Sequence, residues 1–368
     1  MKVKGLNERI LGIADEYSIT KEQVIEVLKY AYTHACRREK CDINGTKYDV
    51  KKVEVDIDLE KEEIDCYDVF IVVDEMRKDE DVVNAQLLID VAKQVDRKAT
   101  IGSFVKVLVK PKEFGNNASQ ELKQRSFECA LSFKKENTNA YFHENKGKVI
   151  GARVISNENG NYLLSIGNGL LQTVLTNEAR LPKDNFKNGD SIFVLVQNVS
   201  IEKNNKGWPK VTVTRRGKEF VKRLLELKIP EIAEGHVEIL GISRQDGERS
   251  KVGVRSNMAE IDAIGACLGT KSSRIKEINA ILSGEKIDLF KWSDNEKELI
   301  KAALAPAEVI AVAEVNMTLK SAYAIVKSDK LSLAIGRTGQ NVSLAVMATG
   351  WKIDIKSEEQ ANSDGILY

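Results

Sequence analysis

A chain of 368 residues, 42% hydrophobic and 30% charged, has the composition of a globular protein with more than one domain, since domains run to about 100–200 residues. No apolar run approaches the ~18 residues of a membrane span. The opening "MKVKGLNERILGIADEYSITKEQ" breaks its apolar residues with charges, which excludes a secretory signal. The formal net charge of +1 hides an asymmetry. Of 56 basic and 55 acidic residues, positions 1–100 hold 17 and 23, which leaves 39 and 32 for the rest. An acidic front thus precedes a basic back. This points to a polyanion as partner of the back and to a protein surface for the front, although chance segregation gives the same counts.

The first 40 residues read as two helices. Thr20 is placed to cap the second, with Gln23 three residues on and Ile19 able to staple onto Val24. Val24, Val27, Leu28, Ala31 and Ala35 then recur at helical spacing. Next, Val53, Val55, Ile57 and Leu59 alternate with Glu54, Asp56, Asp58 and Glu60. That pattern predicts a half-buried strand with an acidic outer face, returned as a hairpin by a turn at residues 61–63. "FVKVLVKP" adds a strand ending at Pro111, and residues 118–142 form a long helix carrying Leu122, Phe127, Leu131 and Phe133. The front is therefore α+β.

From Gly147 the texture changes. "GKVIGARVI", "NYLLSIG", "LQTVLTN", "SIFVLVQNV" and "KVTVTRR" are short strands separated by Asn/Gly turns such as "NENGN", "GNG", "KNGD" and "NNKG". Five such strands in succession predict a small barrel of the OB kind. Tyr162, Phe186, Phe193 and Trp208 lie in or beside them. Strand alternation favours barrel core for Phe193 over a base-stacking platform. Trp208, beside Gly207 and Pro209, is the better candidate for an exposed stacking surface. Arg215 and Arg216, at the barrel exit, are candidates for phosphate contact or for solvated charge.

The remainder repeats itself. "GTKSSRIKEINAILSGEKIDLF", from Gly269, matches "GRTGQNVSLAVMATGWKIDIK", from Gly336, at an offset of 67 that falls to 66 by the final strand. Each copy reads as two strands, a helix, a tight loop, a helix and a strand entered through Gly284 or Gly350. This period is too long for a solenoid unit and fits two tandem small domains. A glycine between two helices permits positive φ and close backbone approach. The following helix offers unpaired N–H groups and the positive end of its dipole, which favour a phosphate. In Gly336-Arg337-Thr338-Gly339, Arg337 adds a cation, and Thr338, Gln340 and Asn341 are polar and uncharged. That set suits a sugar-phosphate backbone followed by base edges, as in KH modules, whose Gly-x-x-Gly loop clamps about four nucleotides. A Walker loop is excluded, because no Gly-Lys-Ser/Thr follows at this point. The first copy, Gly269-Thr270-Lys271-Ser272, has serine for the second glycine. Lys271 and Arg274 keep its cationic character, Ser272 and Ser273 supply donors, and the Ser272 Cβ is expected to hold a phosphate further away.

"VKRLLELKIPEIAEGHVEI", "IGACLGTKSSRI", "GEKIDLFKWSDN", "LAPAEV" and "LSLAIGRTGQNVSLAVMATGWKIDI" resemble the NusA family of bacterial transcription elongation, termination and antitermination factors. This resemblance spans about residues 210–357, and "NAQLLIDVAKQVDRKATIGSFVKVLVKP" and "FKNGDSIFVLV" extend it more loosely to the front. It implies a multidomain α+β protein. The head (1–143) would bind RNA polymerase, followed by an OB-type S1 β-barrel (144–217), two tandem type II (prokaryotic) KH domains (218–295 and 296–360) and a tail (361–368). It further implies a non-catalytic, monomeric, cytoplasmic factor with no cofactor, bound metal or membrane contact. Its partners would be RNA polymerase, single-stranded nascent RNA and other Nus factors, and it would modulate pausing, intrinsic termination and antitermination. The acidic C-terminal repeats of some members do not follow the second KH unit, so functions tied to them are not carried over.

No catalytic constellation emerges. His34, His143 and His236 lack partner motifs, and the paired acids at Asp56/Asp58 and Glu62/Glu63 read as a solvated hairpin face. The five scattered cysteines show no Cys-x-x-Cys and read as reduced thiols. Trp292 and Trp351 border the KH units as packing residues, and the short "LAPAEV" connection is expected to fix one KH unit against the other. Two rival classes use the same modules: an accessory of an RNA-degrading enzyme, and a ribosome-assembly factor.

Overall fold

The computed structural model describes residues 2–76, 85–109, 114–201 and 205–368, and divides the chain into two compact units, 1–140 and 141–368. The first unit opens with α1 (Leu6–Tyr17) and α2 (Lys21–Cys36). The capping box is formed: Gln23 N donates to Thr20 Oγ1 at 3.2 Å, and Thr20 N donates to Gln23 Oε1 at 2.9 Å. Val24, Val27, Ala31 and Ala35 are buried, as the helical spacing predicts.

A hairpin that the sequence reading passed over follows, β1 (Lys40–Ile43) and β2 (Thr46–Asp49). Asn44 and Gly45 both take positive φ at its turn, the type I′ chemistry of an Asn-Gly pair. Then come β3 (Lys52–Asp58), β4 (Glu63–Val73), β5 (Ala85–Leu88), α3 (Ile89–Val95), β6 (Phe104–Val109) and the 29-residue α4 (Asn116–Glu144). The expected Pro111 end of the strand at 104–109 lies outside the described residues. β4 is central, antiparallel to β3 and β6 and parallel to β5. Its inward Ile64, Cys66, Phe70 and Val72 are buried. So is Asp68, whose carboxyl burial pushes up to about 6.

In the second unit β7 (Val149–Glu158), β8 (Asn161–Ile166), β9 (Leu171–Leu175), β10 (Ser191–Ile201) and β11 (Pro209–Thr214) form one antiparallel sheet in the order β11-β10-β7-β8-β9. Thr173 Oγ1 donates to Val211 O at 2.6 Å, which ties the last strand back to the first and nearly closes the barrel. Val154, Leu164, Ile166, Val194 and Val196 fill it together with Phe142.

The repeat folds twice the same way. The first copy is α5 (Lys218–Lys228), α6 (Pro230–Ala233), β12 (Val237–Gln245), β13 (Arg249–Ser256), α7 (Ala263–Leu268), α8 (Ser273–Ile281) and β14 (Lys286–Lys291). The second is α9 (Glu296–Ala303), β15 (Val309–Asn316), β16 (Ser321–Val326), α10 (Leu331–Ile335), α11 (Gln340–Thr349) and β17 (Lys352–Ser357), followed by α12 (Glu358–Ser363). In each, two strands pair antiparallel and the third joins parallel to the second. This is the tandem KH arrangement. Residues 304–309, "LAPAEV", join α9 to β15 inside the second copy and do not connect the copies; the chain passes between them at 292–295.

Buried polar bonds hold the barrel to the first KH domain. Arg215 is 1% exposed, and this corrects the expectation that it meets phosphate or solvent. Its Nε and Nη2 donate to Asp184 at 2.8 and 3.1 Å, Nη1 to Phe193 O at 2.7 Å, and Nη2 also to Ile281 O at 2.7 Å. Glu285, fully buried, accepts from Arg244, from Ser250 Oγ at 2.6 Å and from Gly247 N at 2.9 Å. Arg244 Nη1 reaches Arg215 O at 3.0 Å and so joins the two pairs. Phe193 is neither barrel core nor a stacking platform. Ile192 and Val194 take the inward face, and Phe193 packs outward on the first KH core with Lys228 Nζ 4.9 Å above its ring.

Further contacts hold the KH domains together. Buried Lys251 donates to Ala305 O at 2.7 Å, and burial pushes its ammonium down to about 8. Ser243 Oγ donates to Leu344 O at 2.6 Å, and a Cβ on Gly241 would stand 2.4 Å from Ala348 O.

Arg215→Met removes both guanidinium bonds from the buried Asp184 carboxyl. Breaking a buried pair from one side costs about 3–5 kcal/mol. Denaturant unfolding should show a loss of that order, against less than 1 kcal/mol for Arg216→Met, whose residue is exposed.

Candidate nucleic-acid interface

The loops between the paired KH helices have the same backbone. In the second, α10 stops at Gly336 (φ 78°, ψ 171°), Thr338 is at φ 51°, ψ 30°, and Gly339 at φ 77°, ψ 11°. In the first, Gly269 is at φ 69°, ψ 177°, Lys271 at φ 52°, ψ 30°, and Ser272 at φ 60°, ψ 32°. The same bond closes both: Gly339 N donates to Gly336 O at 3.1 Å, and Ser272 N to Gly269 O at 3.0 Å. Serine in place of glycine therefore leaves the turn intact, with an ordinary residue held in the left-handed region.

The two glycines of the second loop serve different ends. A Cβ on Gly336 would lie 2.7 Å from Asn341 N and 2.8 Å from Asn341 Cβ. A Cβ on Gly269 would lie 2.7 Å from Arg274 Cγ. The first glycine is thus demanded by close packing of the next helix over the loop. A Cβ on Gly339 would meet nothing within 4 Å. That position requires only positive φ, and the space in front of it is open.

Neither following helix has a side-chain cap, so the first-turn N–H groups of α8 and α11 keep no side-chain acceptor. Arg337, Thr338, Thr270, Lys271 and Ser273 are exposed. Among the described residues the guanidinium of Arg337 and the ammonium of Lys271 have no hydrogen-bonded or ionic partner. Each loop thus presents converging backbone donors, a helix N-terminus and one free cation to open solvent. That is the chemistry of a phosphate seat.

Other expected site residues have different work. Arg274 Nη1 donates to both oxygens of Glu231 at 3.0 and 2.8 Å and to Ala266 O at 2.7 Å. The bond to Arg274 holds the Glu231 carboxyl below its ordinary range. Arg274 therefore pins its loop from behind and is not a free cation. Asn341 is 5% exposed, and its Nδ2 donates to Leu304 O at 3.0 Å and Ala334 O at 2.9 Å, so it fastens α10 and α11 and does not face a ligand. Gln340 turns to the first KH domain and donates to Gln245 and Glu248. Trp208 is half-buried beside β11. Trp351 is packed in the second KH core, with Trp292 against it.

The contributions of Gln245, Glu248 and Glu231 escaped the sequence reading. No local signal marks them, because Gln245 and Glu248 meet the loop from more than 90 positions away in the chain.

A nearly closed OB-type barrel followed by two KH domains, each with a phosphate-type loop, defines a multidomain protein of the S1–KH–KH class. Comparisons narrow the class. Three protein-family models match: the NusA N-terminal domain over residues 6–135, the NusA-like first KH domain over 215–292 and the NusA-like second KH domain over 296–363. A protein of Halalkalibacterium halodurans is 33% identical over 98% of this chain and 90% of its own. One of Bacillus subtilis is 34% identical over 95% and 90%, and one of Thermus thermophilus 32% identical over 98% and 92%. All three are named transcription termination/antitermination protein NusA. The chain belongs to the NusA family.

The loop geometry separates two substitutions. Gly336→Ala adds a clash with Asn341 to the positive-φ cost, and Gly339→Ala adds only the latter, about 1–2 kcal/mol. Thermal unfolding should rank Gly336→Ala as clearly the more destabilising. Conversely, Ser272→Gly removes left-handed strain and should raise stability by up to about 1 kcal/mol. An unchanged or lower melting temperature in that variant would show that Ser272 is not strained.

Proposed function

We propose that this protein is an RNA-binding transcription factor that engages RNA polymerase through its head, residues 1–143, and nascent single-stranded RNA through the S1 and KH domains (144–217, 218–295 and 296–360). In this role it modulates pausing, intrinsic termination and antitermination together with other Nus factors. The loop at 336–339 is the principal phosphate seat and the loop at 269–272 the second, with Trp208 as a flanking stacking surface. The observation that carries this reading is the pair of solvent-open loops of one backbone geometry, each with an uncapped helix start and a cation that has no partner among the described residues. The match of residues 6–135 to the NusA N-terminal domain supports the polymerase-binding role of the head. No helix among the described residues is long and apolar enough to cross a membrane.

The test is a single-round pausing assay with purified cognate RNA polymerase on a hairpin-pause template. The protein should lengthen the pause, and the Arg337→Asp/Thr338→Asp variant should do so less. Both residues are exposed, so the variant should fold. Its affinity for single-stranded RNA should fall by roughly tenfold or more, the worth of one charge-assisted phosphate bond. Lys271→Asp should cost less, on the expectation that the Ser272 Cβ holds a phosphate further from the first loop. RNA affinity unchanged in the double variant would reject the loop assignment. Pausing unchanged while RNA still binds would reject polymerase as the partner.

A further inference from the structure

Three polar side chains meet where the first KH domain touches the second loop. Gln340 is the first residue after Gly339, and its Nε2 donates to Gln245 Oε1 and Glu248 Oε2, each at 2.8 Å. Gln245 and Glu248 flank the turn between β12 and β13. A carboxylate only accepts hydrogen bonds, so Gln340 must turn its NH2 toward it, and the amide orientation is set by chemistry. The turn itself is held on all sides. Glu248 N donates to Gln245 O at 3.0 Å, Lys286 N to Glu248 O at 3.1 Å, Gly247 N to buried Glu285 at 2.9 Å, and Gly217 N to Asp246 at 2.9 Å.

This arrangement leaves a defined polar edge. Gln245 and Glu248 are exposed. Among the described residues, Glu248 Oε1, Gln245 Nε2 and Gln340 Oε1 make no hydrogen bond, and Glu248 forms no ion pair. An unpaired carboxylate next to a phosphate-type loop weakens attraction for any polyanion. It cannot be there to hold phosphate. A fixed acceptor is suited instead to a base edge that donates. Carboxylates accept from exocyclic amino groups such as cytosine N4, whereas uracil places a carbonyl oxygen at the corresponding position and is repelled.

We propose that Glu248, oriented by Gln340 and Gln245, is a specificity-determining residue contributed by the first KH domain to the second. It selects, beside the phosphate at residues 336–339, a base bearing an exocyclic amino group. This rests on the reading of that loop as a phosphate seat.

The experiment measures Kd of the full chain for fluorescent decamers of adenylate, cytidylate and uridylate at one salt concentration. Cytidylate against uridylate is the decisive pair, because the two stack alike. The intact protein should prefer cytidylate by roughly tenfold, the worth of one good base-edge contact. Glu248→Gln should narrow that preference to about twofold and leave uridylate binding unchanged or tighter, since the new amide can donate to uracil O4. Gln340→Ala should narrow it partway, because the carboxylate loses its tether. The absence of a cytidylate preference in the intact protein would overturn the proposal, as would a Glu248→Gln variant that keeps the ranking or weakens both decamers equally. The Arg337→Asp/Thr338→Asp variant separates the two claims. If it binds both decamers as the intact protein does while Glu248→Gln erases the preference, the loop reading fails and the base-reading role of Glu248 stands.

Discussion

Two buried carboxylates, Asp184 and Glu285, determine how the 141–368 unit is put together. A carboxylate withdrawn from water is costly unless each of its lone pairs finds a donor. Asp184 accepts from Arg215, from Leu181 N at 2.8 Å and from Ser283 Oγ at 2.6 Å. Glu285 accepts from Arg244, Ser250 and Gly247. Apolar contact alone would tolerate sliding of the barrel on the first KH domain. Directional bonds from two guanidinium forks tolerate little. The network therefore converts a greasy contact, with Phe193, Phe220 and Leu224 in one core, into a single orientation.

The loops are specified mostly by backbone. Three positions in each must take φ/ψ values that L residues avoid, and glycine fills only some of them: Thr338, Lys271 and Ser272 accept the left-handed region. Such residues persist where the surroundings over-determine them. Here the surroundings are Asn341 and Arg274, each reaching back from the following helix to a carbonyl of the preceding one. The free chemistry is left to a single exposed cation per loop.

Much of this was legible in sequence because it is written locally. The capping box at Thr20, the alternation from Val53 to Leu59, the five barrel strands and the tandem repeat all depend on neighbours a few residues apart. The hairpin at Asn44-Gly45 was equally legible by its turn pair. What was not legible depends on distant partners. Two arginines follow the last barrel strand, and distant partners decide that Arg215 turns inward: Asp184, 31 positions earlier, Phe193, 22 earlier, and Ile281, 66 later. Alternation placed Phe193 opposite Ile192 and Val194, but parity does not say which face is the barrel's. Asn341 reads as a polar residue beside a loop; its burial follows from Gly336, which brings the helix down onto the turn.

The short β12–β13 turn gathers these constraints. Arg244 bonds the barrel exit, Asp246 holds Gly217, Gly247 packs so closely on Pro182 that a Cβ would stand 2.8 Å from its ring, and Glu248 meets Gln340. One turn therefore touches the barrel, the first KH domain and the second loop. For the RNA proposed as ligand this matters energetically. Under the proposed function, two phosphate seats held at a fixed separation would make the second contact intramolecular and leave only the RNA between them to be ordered. Two such loops, the first with Ser272 in the left-handed region, would then serve the proposed RNA as one bivalent surface. The buried pairs orient the barrel on the first KH domain, and the bonds of Lys251 to Ala305 O and of Ser243 to Leu344 O hold the second KH domain against the first.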